Sequence, residues 1–480
     1  MTFKRSAYSV FIFVVVLCTS CKMTKPMFPQ AVKVPDSFGA VADTTSSGRT
    51  PWNVFFRDPH LIRLIGEAIE SNPDVQIALQ RIEMTRAGVL LRKGALFPSV
   101  NLFVARGQRK FGDHTMDGVG NFDTNFSDNI TDDKRMPEHL PEYYAGLQSS
   151  WEIDLWKKLR HRKKAAFTRL LASEKGKHWV TTTLVAEVAV LYYELLALDN
   201  ELQIIHENIR LQQKAVEVIL VQKQAGRANE LAVQQFTAQL INTQGLEYRV
   251  RQEIVDAENA LNVLRGSMGN PVERGQPILT HALPSEVTVG IPAQMLRRRP
   301  DIQQAELALL ASHADVKAAY AAFFPSLTIT SSVGLQSFSS AYFFSTPGSI
   351  AYNVLGGLTA PLFDRNNIRA DYKAATAFQN EAFHQYRRTV LNGYSEVVSN
   401  MNRIENLKAT SNLKEQEVAV LQNAVATSRD LFKTGYANYL EVVAAQRGVL
   451  EAELALADTR KEQFHSLIAL YKALGGGWDE

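Results

Sequence analysis

Apolar positions recur along the chain in two periods. Leu184, Val188, Leu191, Leu195, Leu198, Leu202, Ile205 and Ile209 step alternately by four and three residues. That is a heptad seam, and it predicts coiled-coil packing of a long helix. Between Lys157 and Gln224 there is no proline, and Gly176 is the only glycine before Gly226. At about 1.5 Å per residue such a helix is roughly 100 Å long. Val390, Tyr394, Val397, Met401 and Ile404 repeat the same steps. Gly226 and Gly435 mark turns into antiparallel partners, and Val250, Ile254, Ala257, Leu261 and Leu264 form the partner stripe of the first. Elsewhere the period falls to two, at Val100, Leu102, Val104 and at Leu327, Ile329, Val333, Leu335. That alternation predicts strands, with return strands near Tyr144–Ile153 and Tyr352–Leu362. A helix from about Pro59 to Leu96, and another from Pro300 to Phe324, precede the strands and are stopped by Pro98 and Pro325. Segments of about ten residues suit tilted membrane-crossing strands, and they suit a soluble hairpin equally well.

The same order of elements occurs twice. Asn72-Pro73-Asp74-Val75 recurs as Arg299-Pro300-Asp301-Ile302, and Leu96-Phe97-Pro98-Ser99-Val100 as Phe323-Phe324-Pro325-Ser326-Leu327, both at an offset of 227. Leu155-Trp156 pairs with Leu362-Phe363 at 207, and the glycines of Gly226-Arg227-Ala228-Asn229 and Gly435-Tyr436-Ala437-Asn438 pair at 209. With Ala260-Leu261 and Gly266 against Ala469-Leu470 and Gly475, also at 209, five such matches in order imply duplication. The drop from 227 to 207 places about twenty extra residues in the first copy, in a polar stretch read as a loop. The expected organisation is a signal peptide over 1–20, a lipidated linker over 21–50, a first unit over 51–270, a connection over 271–298, a second unit over 299–475 and a tail over 476–480.

The N-terminus changes where the chain is expected to act. Lys4 and Arg5 precede an apolar run from Ala7 to Leu17, too short to span a bilayer. Thr19 and Ser20 then lead to Cys21, an ending that resembles a bacterial lipobox, with Cys18 where leucine is usual. The expectation is cleavage and lipid attachment at Cys21; the alternative is an ordinary secretory signal with an incidental cysteine. Lys22 follows, and a residue other than aspartate there goes with outer-membrane sorting in many Gram-negative bacteria. Removal of 1–20 lowers the formal charge from +3 to +1 and leaves Cys21 as the only cysteine.

Composition narrows the function. The 480 residues are 46% hydrophobic and 21% charged, which excludes a disordered chain. A mean hydropathy of −0.14 excludes a polytopic helical membrane protein but not a barrel, whose strands alternate. No HExxH, no Gly-x-Ser-x-Gly elbow and no P-loop lysine follow any glycine run, so no enzyme and no metal site are expected. Lys157–Lys164 and Arg297–Arg299 are basic runs, but an exported chain of near-zero charge is not expected to bind nucleic acid. The first run follows a return strand, where contact with lipid headgroups is the expectation. If the strands cross a membrane, their backbone groups must all be paired, so the sheet must close. Four strands cannot close alone, and the chain must then assemble through them. The alternative is an exported coiled-coil scaffold or adaptor without a pore.

The chain from Pro51 to Trp478 resembles the TolC-like outer-membrane efflux proteins, in their lipoprotein branch. The resemblance rests on Trp52 with Phe56-Arg57-Asp58-Pro59, on Leu296-Arg297-Arg298-Arg299-Pro300-Asp301-Ile302, on Phe324-Pro325-Ser326, and on the ending Leu470-Tyr471-Lys472-Ala473-Leu474-Gly475-Gly476-Gly477-Trp478. It implies a mainly α fold with transmembrane β: a homotrimer whose long antiparallel helices form an α-barrel, with four strands per chain in a twelve-stranded β-barrel. It implies an exit duct joined to an inner-membrane transporter of the resistance-nodulation-division type by a periplasmic adaptor, with no cofactor beyond the lipid on Cys21. Among gate residues of such proteins, Glu441 is the one carried over; Ala444, Phe432 and Ala437 stand where a second acid and a Tyr–Arg latch would be expected. Gly226, Ala228, Asn229, Leu231, Gly435, Ala437, Asn438 and Leu440 are the candidates for adaptor contact. A helix-turn-helix connection without a partner explains the same residues.

Overall fold

A computed structural model describes residues 34–38, 46–283 and 288–478. Cys21 and the signal segment 1–20 lie outside the described residues, as do the last two residues of the expected tail. The chain runs through helices α1 (Pro59–Ser71) and α2 (Pro73–Gly94), strand β1 (Ser99–Arg109), helix α3 (Met116–Asn125) and strand β2 (Leu140–Ile153). Helices α4 (Lys158–Gln224) and α5 (Glu230–Leu264) complete the first half. The second half is α6 (Pro300–Ala321), β3 (Ser326–Ser337), β4 (Ile350–Thr359), α7 (Asn367–Thr434) and α8 (Tyr439–Ala473). Helices α2 and α6 are each 22 residues long, and α5 and α8 are each 35.

The helix expected from Pro59 to Leu96 is in fact two. Asn72 closes α1 in an extended conformation, with ψ 128°, and its side chain accepts from the amides of Asp74 and Val75 to open α2. Pro73 supplies no amide and sits at the first position of the new helix, where none is needed. The polar stretch read as a loop also carries structure, namely α3, and the return strands begin a few residues earlier than expected.

The heptad seam is the axis of the core. Leu184, Val188, Leu195, Leu198, Ile205 and Ile209 are buried in one cluster with Val250, Ala257 and Leu261 of α5 and with Leu61, Leu64 and Ile65 of α1. A second cluster gathers Ile302, Val390, Val397, Leu470 and Leu474, with Tyr394, Met401 and Ile404 packed on it. Phe38 belongs to this cluster and stacks on Tyr394 at 5.4 Å. Helix α4 packs along α5, α6, α2 and α8, and α7 along α8 and α6. Among the described residues α4 is the one helix long and apolar enough to cross a membrane, and most of that stretch is buried against these neighbours. The ending closes the equator of the molecule: Tyr471 stacks on Phe55 at 3.9 Å, its hydroxyl donates to the carbonyl of Thr50 at 2.6 Å and accepts from the amide of Gly477 at 3.0 Å.

The four strands form one antiparallel sheet in the order β1-β2-β3-β4. The sheet is open, so β1 and β4 are its edges.

Candidate functional site: a two-faced sheet and a helical tip

Strand register divides the sheet into two chemical faces. Leu102 faces Leu147, Leu147 faces Val333, and Val333 faces Tyr352, so four apolar side chains form a row across the sheet. All four are solvent-exposed in the single chain. The neighbouring row consists of Asn101, Gln148, Ser332 and Asn353. Alternate residues on a strand point to opposite faces, so the first row lies on one side and the second on the other. An exposed apolar face opposite a polar face is the pattern of a strand with lipid on one side and water on the other.

Aromatic residues hold the helical end of the sheet. The Trp151 indole donates to the carbonyl of Leu96 at 3.0 Å, and the Trp156 indole donates to that of Pro325 at 2.8 Å while stacking on Phe324 at 4.8 Å. Both rings are partly exposed with their N–H groups satisfied, which suits a membrane boundary. Just beyond, Asp154 caps α4: its two carboxylate oxygens accept from the amides of Leu159 and Arg160, each at 2.9 Å. The basic run begins here. Lys157 has φ 62° and Lys158 pairs with Glu152.

The opposite end of the long helices is the tip. Gly226 and Gly435 adopt φ 68° and φ 82°, a left-handed turn that costs glycine little. Asn229 caps α5 by accepting from the amide of Ala232, and Asn438 caps α8 by accepting from Leu440 and Glu441. The Glu441 carboxylate accepts in turn from the Asn438 amide at 2.9 Å, which completes a capping box. Ile219, Ala232 and Phe236 of the first hairpin join Val442 of the second, with Ala228, Phe432 and Tyr439 packed around them. The structure thus brings the predicted tip residues of both hairpins to one end. Gly226, Asn229, Leu231, Gly435, Asn438, Leu440 and Glu441 are exposed there, and Ala437 is half-buried. Phe432, expected at a latch position, is instead part of the apolar cluster.

Sequence reasoning missed the polar anchors of the equator. Asp58 is buried; it accepts from the Tyr192 hydroxyl at 2.6 Å and from the His60 amide at 2.8 Å, and Tyr192 accepts from Gly275 at 2.9 Å. Burial first, then Asp58, pushes the Tyr192 phenol well above its ordinary range, so it donates throughout the physiological range. Arg299 is likewise buried, against Asp301, Glu396 and the ring of Trp179. Both lay in motifs quoted from the sequence, but Tyr192 and Glu396 are distant from them in it.

An elongated helical hairpin pair, continued by a sheet with a lipid-facing and a water-facing side, defines a duct component. Residues 64–267 and 291–476 match the family described as outer membrane efflux protein, and the chain belongs to that family. The cation efflux system protein CusC of Escherichia coli O6:H1 is 28% identical over 468 residues, covering 96% of this chain and 97% of its own. The pyoverdine export outer membrane protein OpmQ of Pseudomonas aeruginosa is also 28% identical, covering 96% and 95%. A crystal structure of CusC superposes with a TM-score of 0.80 at 26% identity, covering 95% of this chain and all of that one. The protein is an outer-membrane efflux channel with a large periplasmic helical portion. It is the exit duct of a tripartite system that also contains an adaptor and an inner-membrane transporter.

Proposed function

We propose that three copies of the chain close a twelve-stranded barrel and a helical tunnel, and that this homotrimer conducts cargo passively out of the periplasm. The row Leu102–Leu147–Val333–Tyr352 against the row Asn101–Gln148–Ser332–Asn353 carries the reading. Such a sheet is stable in lipid only when its two edges are paired, and twelve strands leave a water-filled lumen. Two units over 51–270 and 299–475, joined by 271–298, supply two strands and one long hairpin each. The two relatives carry names for different cargoes, a cation and pyoverdine, which supports a duct that leaves substrate choice to its transporter. That transporter is assigned to the proton-driven resistance-nodulation-division type. The tip residues Gly226, Ala228, Asn229, Leu231, Gly435, Ala437, Asn438 and Leu440, of which Ala228 and Ala437 are half-buried and the others exposed, are assigned to the adaptor contact. Glu441 is assigned to a ring of three carboxylates at the periplasmic constriction, and Cys21 to lipid attachment.

The test is conductance of the purified oligomer in a planar bilayer, with its mass measured by light scattering. Stable channels from a three-chain particle are expected. A one-chain particle without conductance would leave the scaffold reading in its place. Cys21→Ala is expected to abolish palmitate incorporation, and persistent labelling removes the anchor.

A further inference from the structure

The extra residues of the first copy are not used by the duct. The connection between β1 and β2 spans residues 110–139, against residues 338–349 between β3 and β4. Both connections leave the sheet at the end away from the helices, because α2 and α6 enter β1 and β3 from the other end. The longer connection is a built element. Lys110 pairs with Glu138 at 2.8 Å across its base, and Asn125 clamps Met136 by donating to its carbonyl at 2.7 Å and accepting from its amide at 3.0 Å. Between these ties Met116, Val119 and Phe122 of α3, with Phe126 in the turn that follows it, are spaced three, three and four residues apart and form a ridge along one side. The ridge has no cover within the chain: these side chains are 88%, 50%, 66% and 72% exposed.

Strand order says what lies beside it. β1 is one edge of the open sheet and β4 the other, and they run antiparallel to each other. Closure by copies pairs β1 of one chain with β4 of the next, which sets the 110–139 connection beside the next chain's 338–349 connection. That shorter connection also presents uncovered aromatic surface. Phe343 is anchored near Tyr143 at 6.3 Å, and Phe344 stands edge-on to it and 79% exposed. Two apolar surfaces, each stranded in water within its own chain, thus meet at the same seam.

We propose that α3 docks its Met116–Phe126 ridge on the Phe344 surface of a second copy, clasping adjacent chains together at the outer mouth of the barrel. The proposal rests on closure of the sheet by copies. The strand pairs then hold the seam within the membrane, and the α3 clasp holds it above the membrane. The duplicated 338–349 connection of the same chain has no counterpart of α3, so each seam receives one ridge and one receptor surface.

The test places Phe122→Cys and Phe344→Cys in the full-length protein and treats outer membranes with a short bis-maleimide. Linked dimers and trimers in the double variant, absent from each single variant, are expected. The mass of the detergent-purified particle is measured alongside. A three-chain particle whose two thiols both react with a maleimide dye, yet never link, overturns the clasp while closure stands. Thiols that become reactive only after lipid is stripped away point to lipid as the occupant and also overturn it. A one-chain particle overturns closure and clasp together. As a second measurement, Phe122→Ser with Phe126→Ser is expected to lower the temperature at which the oligomer dissociates in SDS, and an unchanged temperature counts against the clasp.

Discussion

The Arg299 guanidinium meets the Glu396 carboxylate at 2.6 Å, joining the turn that enters α6 to the middle of α7. The same side chain grips Asp301 with two further N–H groups at 3.0 and 2.7 Å, and donates to the carbonyl of Ala473 at 3.2 Å. Its face lies 5.4 Å from the centre of the Trp179 ring on α4. Burial draws its pKa down, but Asp301 and Glu396 outweigh burial, and it stays charged. One side chain therefore ties together α4, α6, α7 and the end of α8. Arg299→Ala removes one member of a buried charged network, and a loss of about 3–5 kcal/mol is expected. Glu396 is half-exposed, so Glu396→Ala is expected to cost less, below about 2 kcal/mol. Denaturant unfolding in detergent measures both, and equal losses would show that the carboxylate rather than the guanidinium is the centre of the network.

Lys157 stands at φ 62°, in the left-handed region that L side chains adopt at a cost of about 1–2 kcal/mol. The strand-to-helix turn demands it, since Asn366 at the corresponding turn before α7 has φ 65°. Lys157→Gly is expected to leave the turn intact and to raise the midpoint of thermal unfolding, after allowance for glycine's greater freedom in the unfolded chain. A lower midpoint would mean that the lysine's charge beside the membrane outweighs the backbone strain.

Much of this architecture was legible because it is periodic. The heptad steps of Leu184 to Ile209 reach the core as read, and the alternation at Val100, Leu102 and Val104 is strand β1. The break at Asn72-Pro73 was legible in principle, since asparagine before proline is a helix start as well as a stop, but the apolar spacing runs through it. Helix α3 was hidden by its polar surroundings and two glycines, and only Met116, Val119 and Phe122 mark it as apolar. The anchors were not legible at all. Asp58 finds Tyr192 across 134 residues, and Arg299 finds Glu396 across 97, and no local pattern encodes a pairing of that kind.

At the tip, Asn438 and Glu441 have separable roles. Asn438→Ala removes the acceptor for two amides at the start of α8 and is expected to cost about 1 kcal/mol, read as faster amide exchange confined to the first turn of α8. Glu441→Gln keeps an oxygen that can accept from the Asn438 amide, because glutamine serves a capping box as glutamate does. It removes the charge alone. If three such carboxylates ring the constriction, Glu441→Gln is expected to reduce cation selectivity and block by multivalent cations with amide exchange unchanged. Unchanged selectivity would leave Glu441 as a helix cap and nothing more.

His465 of α8 is half-buried against α4, where it meets the Val190 carbonyl at 3.2 Å and lies 3.7 Å from Glu194. Burial lowers its pKa below the ordinary value, and Lys461 adds to that, against the opposing pull of Glu194 and Glu462. The unfolded chain binds the proton at about pH 6.5, the folded chain only below that. As pH falls through the unfolded value, the unfolded state gains a proton that the folded state refuses, so stability declines until the folded value is passed. Above about pH 7 the imidazole is neutral in both states and contributes no pH dependence. His465→Gln keeps a side-chain amide able to donate to Val190 and removes the titration. The variant is expected to lose less of its unfolding midpoint than the native chain between pH 7.5 and 5.5, as followed by circular dichroism, with the two curves parallel above pH 7. Equal losses on acidification would assign the acid sensitivity to other groups.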